Sequence, residues 1–132
     1  MLTFCSASSS DPSWFDWSAR RLERVASNGI AINPVIYAEL GAGFRGRDEL
    51  DAALSVGELR KLELPCEAAF RAGRAFIEYR RRGGTRHSTL PDLFIGAHAE
   101  TAGLRLLTRD ARRYRTYVPE LDVIAPGIAN RR

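Results

Sequence analysis

At 132 residues, with 45% hydrophobic and 27% charged side chains, the chain has the length for one substantial core and too much apolar content for disorder. No apolar run approaches the roughly 18–20 residues that cross a bilayer, so no membrane segment is expected. The net charge of +4 is modest, but all 20 basic residues except Lys61 are arginine, and they cluster.

Met1 to Asp11 has neither the basic segment nor the apolar length of a secretory signal. Cys5 and Cys66 lack metal-ligand spacing and are expected as free thiols in a reducing cytoplasm. Asp11-Pro12 is a cap followed by a first-turn proline, and it predicts a helix over about 12–27 that buries Trp14, Phe15 and Trp17 or leaves them for a partner. Asn28-Gly29 stops that helix, and Ile30-Ala31-Ile32 reads as a short strand. Asn33-Pro34 repeats the cap-and-proline signal and opens a helix to about Gly41.

A short helix is expected over Asp48–Leu54, then a strand at Leu62 and Leu64, where apolar and charged residues alternate. Pro65 opens a long helix to about Arg82, with Ala69, Phe70, Gly73, Phe76 and Ile77 expected inward. Gly83 to Ser88 is a basic loop containing His87; Pro91 opens a further helix to about Ala102, closed by Gly103. A strand over Leu104–Leu107, a helical turn over Asp110–Tyr114 and a strand over Leu121–Ala125 complete the chain. Strands alternating with helices at this spacing predict an α/β sandwich with a mainly parallel sheet covered on both faces. Ligands in such folds collect at the carboxyl ends of the strands.

Three carboxylates bear on that edge. Glu39 sits in the apolar run Val35–Leu40, where a desolvated charge is costly without a cation. Asp92 opens the helix after Pro91, and Asp110 follows the strand ending at Leu107; singly, each is explained by the preference of acids for helix starts. Taken together they converge on one edge, where mutual repulsion calls for a divalent cation. Hard oxygen donors without cysteine or clustered histidine select Mg²⁺ or Mn²⁺. Arg80, Arg81, Arg82, Arg86, Arg109 and Arg112 fall in the two basic clusters, 71–86 and 109–115, and are candidates to grip phosphates.

Three segments in order carry a resemblance: Ile32-Asn33-Pro34-Val35-Ile36-Tyr37-Ala38-Glu39-Leu40, Leu90-Pro91-Asp92-Leu93-Phe94-Ile95-Gly96-Ala97-His98-Ala99 and Leu106-Leu107-Thr108-Arg109-Asp110-Ala111-Arg112-Arg113-Tyr114. From about Asp11 to Pro126 the chain resembles the PIN-domain ribonucleases, and among them the VapC toxins of toxin–antitoxin pairs. The resemblance implies one PIN-like domain over 1–132 with a tail at 127–132. Its activity would be a Mg²⁺- or Mn²⁺-dependent endoribonuclease, with Glu39, Asp92 and Asp110 as acidic-site residues and Thr108 beside them. It implies an RNA substrate, a cognate antitoxin partner and a homodimer.

One departure is large. The family opens on a short apolar strand that carries an aspartate, whereas this chain opens Met1-Leu2-Thr3-Phe4-Cys5-Ser6-Ala7, with no acid before Asp11. Counted back from Asp11-Pro12, that aspartate falls at or before Met1. The expectation is at best a short, poorly placed strand over Leu2–Cys5, arising from a late or frame-altered start or from true loss of a metal ligand. Three functions follow: an active endoribonuclease toxin, a catalytically impaired relic or antitoxin-binding protein of the same fold, and an unrelated Mg²⁺-pocket α/β domain. Against the last, a phospho-accepting domain needs an aspartate ending an early strand, and Ile30-Ala31-Ile32 leads into Asn33.

Overall fold

The computed structural model describes residues 29–56, 58–87, 90–108 and 111–125, and the backbone of residues 3–5. The helix expected over 12–27 and the tail at 127–132 lie outside the described residues. Among the described residues five parallel strands form one sheet in the order β3-β2-β1-β4-β5. They are β1 (Thr3–Cys5), β2 (Ile30–Ile32), β3 (Arg60–Lys61), β4 (Arg105–Leu107) and β5 (Val123–Ile124). Among the described residues the helices are α1 (Pro34–Gly41), α2 (Arg47–Val56), α3 (Cys66–Arg81), α4 (Pro91–Thr101) and α5 (Arg112–Tyr117). This is the expected α/β sandwich, and the strand order reverses direction at β1, where such sheets open a crevice.

Strand β1 corrects one expectation. It is short, but it stands in the centre of the sheet, with Thr3 and Phe4 opposite Ile30 and Ala31 on one side and Thr3, Phe4 and Cys5 opposite Arg105, Leu106 and Leu107 on the other. Thr3–Cys5 is therefore a central strand flanked on both sides, and not a poorly placed one. Two other strands and one helix shift. The edge strand β3 lies at Arg60–Lys61, before Leu62 and Leu64, because both of its residues are exposed and alternation there has no core to read. Strand β5 is confined to Val123–Ile124, and α5 begins at Arg112, two residues later than expected, with Ala111 at its cap position.

Helix ends follow the predicted chemistry. Asn33 caps α1 by accepting from the Ile36 N–H at 2.9 Å, with Pro34 in the first turn. Gly83 (φ +92°) and Gly103 (φ +66°) end α3 and α4 in the left-handed conformation that glycine adopts without strain. Beyond them the Gly84 N–H donates to the Tyr79 carbonyl and the Leu104 N–H to the Ala99 carbonyl, closing both last turns.

Two apolar clusters hold the layers. Ala31, Ile32, Ile36, Ile95, Leu106 and Tyr114 belong to the larger, which ties β2 and β4 to α1, α4 and α5. The smaller joins Ala72, Leu90, Leu93 and Ala97, with Phe76, Tyr79 and Tyr117 packed against it. The inward face of α3 is thus Ala68, Ala72 and the neighbouring Phe76, while Phe70 and Ile77 are 66% and 42% exposed. Phe76 packs inward as expected, but the rest of the expected face was out of phase, because Ala68 and Ala72, and not Phe70 and Ile77, are buried beside it. At Gly96 on α4, an added Cβ would lie 2.9 Å from the Tyr114 ring and 3.0 Å from Val118, so α5 packs closely there only because position 96 has no side chain.

Candidate active site

In register, Ile32, Cys5 and Leu107 end three adjacent strands level with one another. Asn33, the next residue after β2, is buried. Its Oδ1 caps α1 while its Nδ2 donates to His98 Nδ1 at 3.2 Å. Burial lowers the His98 pKa and so favours the neutral ring, whose Nδ1 accepts from the amide. Thr108, the next residue after β4, is also buried, and its N–H donates to the Ile124 carbonyl at 2.9 Å. Two polar residues therefore line the carboxyl edge on either side of β1.

Glu39 and Asp92 are near enough for the charge of one to act on the other. Asp92 sits in the first turn of α4, and Glu39 is in the last turn of α1. Desolvation raises the Glu39 pKa, and the negative charge of Asp92 raises it further. Among the described residues, Glu39 Oε1 is buried without a hydrogen-bond partner. The Asp92 carboxylate is held by Arg113, whose Nη1 lies 2.8 Å from Oδ2. Asp110 and Arg109 lie outside the described residues. Among the described residues no third His, Cys, Asp or Glu joins Glu39 and Asp92.

Arg80, Arg81, Arg82, Arg86 and Arg112 are all exposed, as is His87. Arg80 is committed to its own loop, donating through Nη1 to the carbonyls of Gly84 and Arg86 at 3.0 Å each. Arg82 pairs with Glu78 at 2.9 Å and lies 5.8 Å from the Tyr117 ring centroid. Beside Asp92 a cleft of about 420 Å³ is lined by Tyr79, Asp92, Arg112, Arg113, Thr116 and Tyr117. Arg113 lay in the 109–115 basic cluster, but its pairing with Asp92 had no signal in the sequence, because the two are 21 positions apart; Tyr79 and Tyr117 were not singled out at all. Asn33 was legible as a cap but not as the partner of His98.

A family model described as PIN domain matches residues 9–119. No curated protein matches the chain. Among solved structures, VapBC2 from Rickettsia felis bound to a DNA fragment from its promoter is similar at 19% identity and a TM-score of 0.66, covering 95% of this chain and 98% of that one. VapBC-1 from nontypeable Haemophilus influenzae is similar at 15% identity and a TM-score of 0.67, with the same coverage. A toxin-antitoxin complex from Klebsiella pneumoniae is similar at 20% identity and a TM-score of 0.59, covering 98% and 100%. At these identities the likeness is one of fold.

Proposed function

Because the chain belongs to the PIN domain family, a family of nucleases, we propose that it is the toxin of a VapC-type toxin–antitoxin pair, a metal-dependent endoribonuclease whose acidic site lacks one carboxylate. The observation that carries this reading is Glu39 Oε1, buried without a partner among the described residues and within reach of the like charge of Asp92. Two opposed carboxylates with an unsatisfied buried oxygen fit a divalent cation, and the oxygen-only donors favour Mg²⁺ or Mn²⁺. Glu39 and Asp92 would hold it together with Asp110, beside Thr108. When bound, such a cation lowers the pKa of water and neutralises charge at a phosphodiester.

The protein's own residues do the rest. Asn33 and His98 anchor the start of α1 and so fix the helix that carries Glu39. Arg113 neutralises Asp92 in the free protein, and the exposed Arg82, Arg86 and Arg112 supply charge for an RNA backbone. The partner is a cognate antitoxin, a reading supported by the toxin-antitoxin complex among the structures of like fold. A second reading, a catalytically impaired relic, is favoured by one observation: from Thr3 to Ser10, through and beyond the central strand, the sequence has no carboxylate.

Cleavage of a total tRNA pool separates the two. At roughly millimolar Mg²⁺ the chain should cut weakly and in Mn²⁺ more strongly, since Mn²⁺ binds the same oxygens with higher affinity. Asp92→Asn and Asp110→Asn should abolish cleavage, while the helical circular dichroism persists, because asparagine still suits the helix start at position 92 and keeps the side-chain size at both. Undiminished cleavage by Asp92→Asn refutes the site; no cleavage under any condition leaves the relic.

A further inference from the structure

The cleft beside Asp92 carries two tyrosine rings, two guanidinium groups and a threonine hydroxyl around one carboxylate. A site for bare phosphate has no use for the rings, and an apolar peptide groove has no use for the arginines. Rings and cations together suit a unit that is flat and apolar on one side and anionic on the other.

The rings are fixed before any ligand arrives. Phe76 and Tyr79 stack at 5.9 Å, Tyr79 meets Tyr117 edge-on at 6.2 Å, and Arg82 lies 5.8 Å from the Tyr117 centroid. The Tyr79 hydroxyl accepts from the Arg86 N–H at 3.4 Å, and Gly84 fits against the Tyr79 ring only because it has no Cβ. Arg80 holds the same loop through the Gly84 and Arg86 carbonyls. A platform ordered in advance lowers the entropy cost of binding.

We propose that this cleft is a nucleotide subsite for single-stranded RNA, in which Tyr79 and Tyr117 receive a base and Arg112 and Arg113 its phosphate, next to Asp92. The proposal rests on the reading of the chain as a nuclease and adds to it a base-binding element. Arg113 is central, because it bridges from the phosphate side of the cleft to the Asp92 carboxylate. The subsite would therefore set a single-stranded nucleotide beside the acidic pair.

The test is fluorescence anisotropy of a labelled single-stranded RNA hexamer and of an abasic backbone of the same length, both in EDTA, so that cleavage and metal binding play no part. The unmodified chain should bind the base-bearing hexamer about fivefold or more tightly than the abasic one, the low end of what base–aromatic stacking contributes. Tyr117→Leu should erase that difference and Tyr117→Phe should keep it. Arg113→Gln should weaken both ligands alike. Equal affinity for the two ligands, or no binding of either, overturns the subsite; the comparison uses the unmodified chain and does not depend on a variant folding. A chain that binds bases but never cleaves would contradict the nuclease reading alone.

Discussion

Glu39 is a carboxylate whose folded-state pKa is raised, by burial first and by Asp92 second. A raised value means that the folded state holds this proton more tightly than the unfolded chain. Stability is therefore lost as pH rises from the ordinary value of 4.5 through the folded pKa, and stays lower above it. Glu39→Gln removes that penalty and should stabilise the metal-free protein at neutral pH by about 1 kcal/mol, the low end for an unsatisfied buried group, since solvent screens part of the charge. Added Mn²⁺ should raise the melting temperature of the unmodified chain and leave that of Glu39→Gln nearly unchanged. A variant less stable than the parent in EDTA would show that Glu39 has a structural partner.

His98 has the opposite sign. Burial lowers its pKa, so the unfolded chain takes up the proton first, and stability is lost as pH falls below 6.5 toward the folded value. Urea unfolding followed from pH 8 to pH 5 should show that loss, and His98→Gln should flatten it. Glu39 was legible in the sequence because a lone acid in an apolar run is conspicuous. His98 gave no such signal: it is a buried hydrogen-bonding residue, and its partner Asn33 is 65 positions away.

Among the elements, the sequence revealed those with local punctuation. Asn33-Pro34, Gly83 and Gly103 state where α1 starts and where α3 and α4 stop, because capping is settled within a turn. The face of α3 was misread because its burial is decided by α4, through the small side chains of Ala68 and Ala72. The edge strand β3 was misplaced for a related reason: it pairs through its backbone with Ala31 and Ile32 and buries neither side chain. The approach of α5 to α4 at Gly96 is likewise non-local. Gly96→Ala would press a methyl group onto the Tyr114 ring and should cost about 1–3 kcal/mol, the usual range for overpacking. It should also displace α5 and with it Arg113, so oligonucleotide binding in EDTA should weaken. A variant as stable as the parent would show that α5 gives way without cost.

For the whole molecule, the sheet order puts β1 between β2 and β4, with a polar residue following each neighbour, Asn33 and Thr108. Among the described residues no helix is long and apolar enough to cross a membrane. The sequence predicted a parallel α/β fold and a short first strand over Leu2–Cys5, but not its central place, because so short a strand is specified by pairing on both sides rather than by its own pattern. The central claim is that a PIN-family metal site is present here with one carboxylate missing at the end of that strand. Cys5 stands opposite Leu107, so Ser6 is the next residue in sequence after that level, as Thr108 is after Leu107. Mn²⁺ affinity, measured by the loss of free-ion signal in electron paramagnetic resonance, tests the claim directly on the unmodified chain, Ser6→Asp and the double variant Ser6→Asp, Asp92→Asn. Ser6→Asp should tighten Mn²⁺ binding about tenfold or more, and Asp92→Asn should reverse the gain; an unchanged affinity on adding the aspartate would contradict the account.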